Sequence, residues 1–113
     1  MTQGFHAAVA SVAPAALAEQ IERGDRIRLV DVREPLEERI ASIAGSELVP
    51  LGTLPGAIAG FDREDDIVVM CHHGIRSRMA CEFLVQSGFS RVRNLSGGID
   101  RWSLEVDPTV PRY

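Results

Sequence analysis

Residues Ile67–Gly88 read I-V-V-M-C-H-H-G-I-R-S-R-M-A-C-E-F-L-V-Q-S-G. The run Ile67-Val68-Val69-Met70 is short, uncharged and rich in β-branched residues, the composition of a strand buried on both faces. Asp65 and Asp66 mark its solvated start. Cys71 ends it, and a tight loop follows, His72-His73-Gly74-Ile75-Arg76. From Ser77 onward, Met79, Ala80, Phe83 and Leu84 recur at helical spacing, and Gly88 supplies the stop. The stretch therefore predicts strand, loop and helix, with a cysteine at the carboxyl end of the strand and just ahead of a helix N-terminus.

The same alternation extends in both directions. Upstream, Ala7–Val12 is expected to be a short edge strand, after loose residues 1–6. A helix begins at Ala13-Pro14, with Ser11 or the preceding backbone as its cap, carries Leu17 and Ile21 on a narrow apolar stripe, and stops at Gly24. Ile27–Val32 is the next strand, Pro35–Ser42 a short helix, Glu47–Leu51 a short strand, and Leu54–Phe61 a weak helix broken by Pro55 and Gly56. Downstream, Arg91–Leu95 forms the last strand. Ser96-Gly97-Gly98 is a turn that can reverse tightly because glycine tolerates positive φ. Ile99–Glu105 is a helix in which Trp102 is expected to anchor packing. Short strands alternating with helices predict an α/β fold with a mainly parallel sheet.

The 113 residues suit one domain, 1–113, with a modest core of its own. The net charge of −4 gives no basic excess that would argue for nucleic acid, and no basic run suits a membrane surface. All 12 basic residues are arginine, so Schiff-base chemistry on lysine is excluded. No stretch approaches a membrane span, and the Ala-rich N-terminus lacks a basic leader. Two cysteines ten positions apart form no disulfide framework, which fits a reducing, cytoplasmic setting.

The chemistry concentrates on Cys71. Unpaired amides at a helix N-terminus, together with the helix dipole, favour negative charge, and a short loop can aim further amides at the same point. A cysteine placed there reacts as the thiolate, and Arg76 adds a charge suited to an oxyanion. The site is thus fit for a sulfur nucleophile and an anionic substrate. Cys81, expected in mid-helix, is assigned to the core. Asp31, at the carboxyl end of its strand, is either a capping or salt-bridging residue of the next turn or part of the ligand crevice that such strand ends line. Arg33 is a candidate ion-pair partner for Glu34 or Asp31.

Cys71-His72-His73-Gly74-Ile75-Arg76-Ser77 resembles the active-site loop of rhodanese-like sulfurtransferases. Leu29–Glu34 (L-V-D-V-R-E), Ile43–Leu51 (I-A-G-S-E-L-V-P-L) and Asn94–Trp102 (N-L-S-G-G-I-D-R-W) resemble further family segments in the family's order, so the likeness covers roughly residues 9–113. The chain departs from the family at Ala41 and Ser42, where a Gly-His pair is usual.

The resemblance implies a rhodanese-like fold, with a central five-stranded sheet flanked by helices on both faces. It implies a sulfurtransferase working through a Cys71 persulfide. The donor would be small and anionic, such as thiosulfate, and the acceptor cyanide, a thiol or a sulfur-acceptor protein. His72, His73, Gly74, Ile75, Arg76 and Ser77 would bind substrate, through backbone amides and, for Arg76, through the donor's oxygens unless it ties the loop down instead. Asp31 would lie near the loop as a support, organising Arg76 or the loop amides, with Arg33 beside it. No cofactor is expected, and no metal, since two adjacent histidines rarely converge on one ion.

Two rival readings stand beside this one. Cysteine phosphatases place five residues between Cys and Arg; here there are four, His72 to Ile75, and no separate general acid is evident. The other rival is a rhodanese-fold relay or binding module that acts with a dedicated protein partner.

Overall fold

The computed structural model describes residues 9–113. The expectations that residues 1–6 are loose and that the first strand includes Ala7 and Ala8 lie outside the described residues. The strands are β1 (Ala10–Val12), β2 (Arg28–Asp31), β3 (Glu47–Leu48), β4 (Ile67–Met70) and β5 (Val92–Leu95), and they form one sheet in the order β1-β5-β4-β2-β3. Every pairing is parallel, so the sheet is wholly parallel.

The helices are α1 (Pro14–Glu22), α2 (Pro35–Ile40), α3 (Leu54–Ala57), α4 (Ile75–Gln86) and α5 (Gly98–Glu105). Successive residues of β4 point to opposite faces, and the core divides accordingly. Val68 and Met70 pack with Leu17 of α1 and with Ile99 and Trp102 of α5. Ile67 and Val69 pack with Leu54 of α3 and with Ala80, Cys81 and Leu84 of α4. All four β4 residues are inaccessible to solvent, as expected for a strand covered on both faces. Trp102 is a core residue of the α1/α5 face, as anticipated.

Several boundaries differ from expectation. α4 starts at Ile75, two residues before Ser77, because Gly74 adopts φ +101° and its carbonyl accepts the first helical bond, from the Arg78 amide. α1 is capped by the backbone at Ala13 with no side-chain bond, and Ser11 lies within β1. The weak helix expected over Leu54–Phe61 resolves into α3 and a 3-10 turn at Ile58–Gly60, since Pro55 and Gly56 leave too little regular ladder, and a further 3-10 turn at Leu51–Thr53 precedes it, beginning at the residue expected to end the third strand. β3 pairs over two residues only, although the Val49 and Leu51 amides continue to donate to the carbonyls of Asp31 and Val32 beyond it. Among the described residues no helix is long and apolar enough to cross a membrane.

Candidate active site

β4 delivers Cys71 to the carboxyl edge of the sheet, and the turn into α4 folds back over its sulfur. The Gly74 amide donates to Cys71 Sγ at 3.1 Å and the Ser77 amide at 3.3 Å. Ser77 Oγ also lies 3.3 Å from the sulfur. Two N–H groups that have no helical partner are thus spent on one sulfur. Cys71 is 1% exposed and Ser77 is buried.

The loop is clamped from β5 and α5. Ser77 Oγ donates to Asn94 Oδ1 at 2.5 Å, and Asn94 Nδ2 donates to the Gly74 carbonyl at 3.0 Å. The amides of Ile99 and Asp100, in the first turn of α5, donate to the carbonyls of Cys71 (2.9 Å) and His72 (3.1 Å). That approach requires glycine at 98: a Cβ there would lie 2.4 Å from both of those carbonyl oxygens, and φ is +62°.

Asp31 and Arg33 form a buried pair beneath this edge, each fully excluded from solvent. Arg33 Nε and Nη2 reach the two carboxylate oxygens at 2.9 and 2.7 Å. Arg33 also donates to the carbonyls of Glu37 and Ala41 and to the Tyr113 hydroxyl. All five guanidinium donors thus have a partner. Asp31 therefore does not organise Arg76, because its carboxylate is taken up by Arg33 two residues on. Of the partners considered for Arg33, Asp31 is the one found.

Arg76 turns to α2. Its two terminal nitrogens meet Glu37 Oε1 and Oε2 at 2.6 and 2.9 Å, a bidentate pair. The Arg76 bonds hold the Glu37 carboxyl down at about 2 against the opposing effect of burial, with further help from the Glu34 backbone and Tyr113. The guanidinium braces the loop against α2 in this state.

His72 is half-buried and stacked between His73 and Tyr113, with both centroid separations 3.8 Å. Burial, then the neighbouring His73, lowers its pKa. One ligand atom from each of His72, His73 and Asp100 lies within 4.8 Å of the others, a grouping the sequence did not reveal. The imidazoles are only 27° from parallel, so their lone pairs run side by side rather than meeting at a point, and Asp100 is paired with Arg112 at 2.8 Å. Cys81 is a different thiol altogether: burial, then Cys71 and Glu82, push it up to about 12.

Sequence reasoning thus found Cys71, Gly74 and Ser77, which meet at the sulfur. It missed Asn94, Glu37 and Tyr113. The one available signal for Asn94 was its place near the carboxyl end of β5, directly before the Ser96-Gly97-Gly98 turn. Nothing local distinguished Glu37 or Tyr113.

A family model described as the rhodanese-like domain matches residues 13–105. The chloroplastic rhodanese-like/PpiC domain-containing protein 12 of Arabidopsis thaliana is 42% identical over 93 residues, which make up 79% of this chain but only 31% of that longer protein. A thiosulfate sulfurtransferase of Pseudomonas aeruginosa is 33% identical over 91 residues, 80% of this chain and 81% of the relative. The crystal structure of a rhodanese-related protein from Thermoplasma volcanium matches with a TM-score of 0.79 and 36% identity, covering 92% of this chain and 99% of that one. The parallel five-stranded sheet, the cysteine loop at its carboxyl edge and these likenesses agree: the chain belongs to the rhodanese-like domain family.

Proposed function

We propose that this protein is a sulfurtransferase that moves a sulfane sulfur from a small anionic donor such as thiosulfate to a thiophilic acceptor through a persulfide on Cys71. The observation that carries the reading is the pair of amides, Gly74 and Ser77, aimed at Cys71 Sγ. Preorganised N–H groups stabilise charge where it resides during transfer, without reorganisation at the moment of reaction.

In the first half-reaction the Cys71 thiolate attacks the outer sulfur of thiosulfate. The S–S bond of the donor breaks, its electron pair leaves on sulfite, and Cys71 becomes a persulfide anion. In the second, cyanide or a thiolate attacks that outer sulfur. Thiocyanate or a new persulfide departs, and the Cys71 thiolate returns. The covalent intermediate divides one difficult transfer into two easier ones. Arg76, engaged by Glu37, serves this cycle by fixing the loop. The Pseudomonas relative's name, thiosulfate sulfurtransferase, supports the choice of donor. The reading takes the chain as a single domain working in the reducing cytoplasm.

Relay to a dedicated protein acceptor is the second reading. It is favoured by exposed apolar side chains beside the loop, Ile75 and Met79 on α4 and Leu36 and Ile40 on α2.

The test is the intact mass of reduced protein after brief exposure to thiosulfate, with and without later cyanide. The expected result is a gain of one sulfur, absent in Cys71→Ser and removed by cyanide. A folded protein with a titratable Cys71 thiol and no gain would refute thiosulfate as donor.

A further inference from the structure

Tyr113 lies 42 residues from Cys71 in sequence, yet it touches two parts of the loop's support. Its ring is stacked on His72, the residue after the nucleophile, at 3.8 Å and 7° from parallel. Its hydroxyl accepts from Arg33 Nη1 at 2.9 Å and donates to Glu37 Oε2 at 2.8 Å. That same Glu37 oxygen receives Arg76 Nη2. His72 depends on this contact, because its Nε2 is buried without a hydrogen-bond partner among the described residues. Its ring is oriented by the stack with Tyr113 and His73.

We propose that Tyr113 is a positioning residue of the Cys71 site: its ring forms the wall that seats His72 and so keeps the cysteine loop closed over the sulfur, while its hydroxyl links the buried Asp31–Arg33 pair to the Glu37–Arg76 clamp. The consequence for sulfur transfer rests on the function proposed above; the seating of the loop does not. The ring contact is the larger of the two influences on Cys71. The hydroxyl adds one member to a Glu37 carboxylate that keeps both Arg76 bonds without it.

The test compares wild type with Tyr113→Leu, Tyr113→Phe and Arg112→Ala. Arg112→Ala removes the ion pair to Asp100 from the same segment and leaves Tyr113 in place. The first readout is the rate at which iodoacetamide alkylates Cys71, followed by peptide mass, which requires no sulfur transfer. Tyr113→Leu is expected to raise this rate about three- to tenfold, the scale of one lost aromatic contact. Tyr113→Phe, which keeps the stack, should match wild type, and Arg112→Ala should stay near it.

A rate unchanged in Tyr113→Leu overturns the proposal. So does an equal rise in Phe and Leu, or a rise in Arg112→Ala as large as in Leu, which would mark simple anchoring of the segment. The second readout is KM and kcat with thiosulfate and cyanide. Wild type that shows the alkylation pattern but transfers no sulfur would refute thiosulfate transfer and leave the positioning role standing. Transfer with a flat alkylation pattern would do the reverse.

Discussion

Replacing Asp31 with alanine isolates a buried charge. Arg33 has no solvent exposure, and among the described residues the Asp31 carboxylate is its only anionic hydrogen-bond partner; the others are two carbonyls and a phenol. Removing one partner of a buried ion pair costs about 3–5 kcal/mol, because the remaining charge keeps its desolvation penalty and loses its compensation. The Arg33 amide, which donates to Asp31 Oδ1 at 3.0 Å, loses its acceptor as well.

Domains are typically stable by only about 5–15 kcal/mol, so the substitution removes a large share of the total. For a chain of this length, each kcal/mol corresponds to about 4 °C, so the thermal midpoint should fall by roughly 12–20 °C. Asp31→Asn keeps an acceptor and should fall less. Thermal unfolding followed by far-UV circular dichroism, with urea titration at 25 °C, reads both variants. A loss in Asp31→Ala below about 1 kcal/mol would refute the reasoning, since it would mean that water or another anion reaches Arg33 at little cost.

Cys81→Ser should leave transfer intact in the folded protein, because a thiol held at about 12 is un-ionised at neutral pH; loss of the thiosulfate-dependent mass gain would identify a relay thiol instead. Glu37→Gln should destabilise wild type's fold at pH 7. The Glu37 carboxyl is depressed to about 2 in the fold from an ordinary value of 4.5, so its contribution is present above pH 4.5 and is lost as pH falls toward 2. The difference between wild type and Glu37→Gln in urea midpoint should therefore shrink across that window, and a constant difference would count against the pair. Gly98→Ala should cost at least about 1–3 kcal/mol, because a methyl group meets two backbone oxygens at a positive φ; chemical denaturation checks this directly.

The fold was legible where the pattern is local. The uncharged run before Cys71 gave β4 with its observed bounds, and the β-branched and glycine punctuation gave the order of strands and helices. The two-residue error at the start of α4 arose because Gly74 looks the same in sequence whether it extends the loop or caps the helix; only its positive φ decides. Cys71 and Ser77 were legible because six residues of strand-loop-helix fix their encounter. The Asp31–Arg33 pair was within reach for the same reason. Glu37 and Arg76 are 39 positions apart, and Arg33 and Tyr113 are 80 apart. Those contacts are set by which helix ends the sheet order brings together, and no periodicity encodes that. The reading of Asp31 as a support organising Arg76 or the loop amides looked to distant partners, whereas its carboxylate is engaged by Arg33 two residues on.

The Ser77 hydroxyl lies between Asn94 Oδ1 and Cys71 Sγ with a single hydrogen to give. The Asn94 amide cannot turn to help, because its NH2 is held by the Gly74 carbonyl. With a proton on Cys71, every group has a match: S–H points to Ser77, and Ser77 points to Asn94. Once the sulfur is anionic, the count is one hydrogen short. Either Asn94 is left without a donor, or the sulfur relies on its two amides alone. The Asn94 side-chain amide resonance, followed through thiol, thiolate and persulfide forms, would register which group goes without. The Ser77 hydroxyl is thus a reporter of the charge on the sulfur: committed to Asn94 while the thiol is neutral, contested between the two once it is anionic.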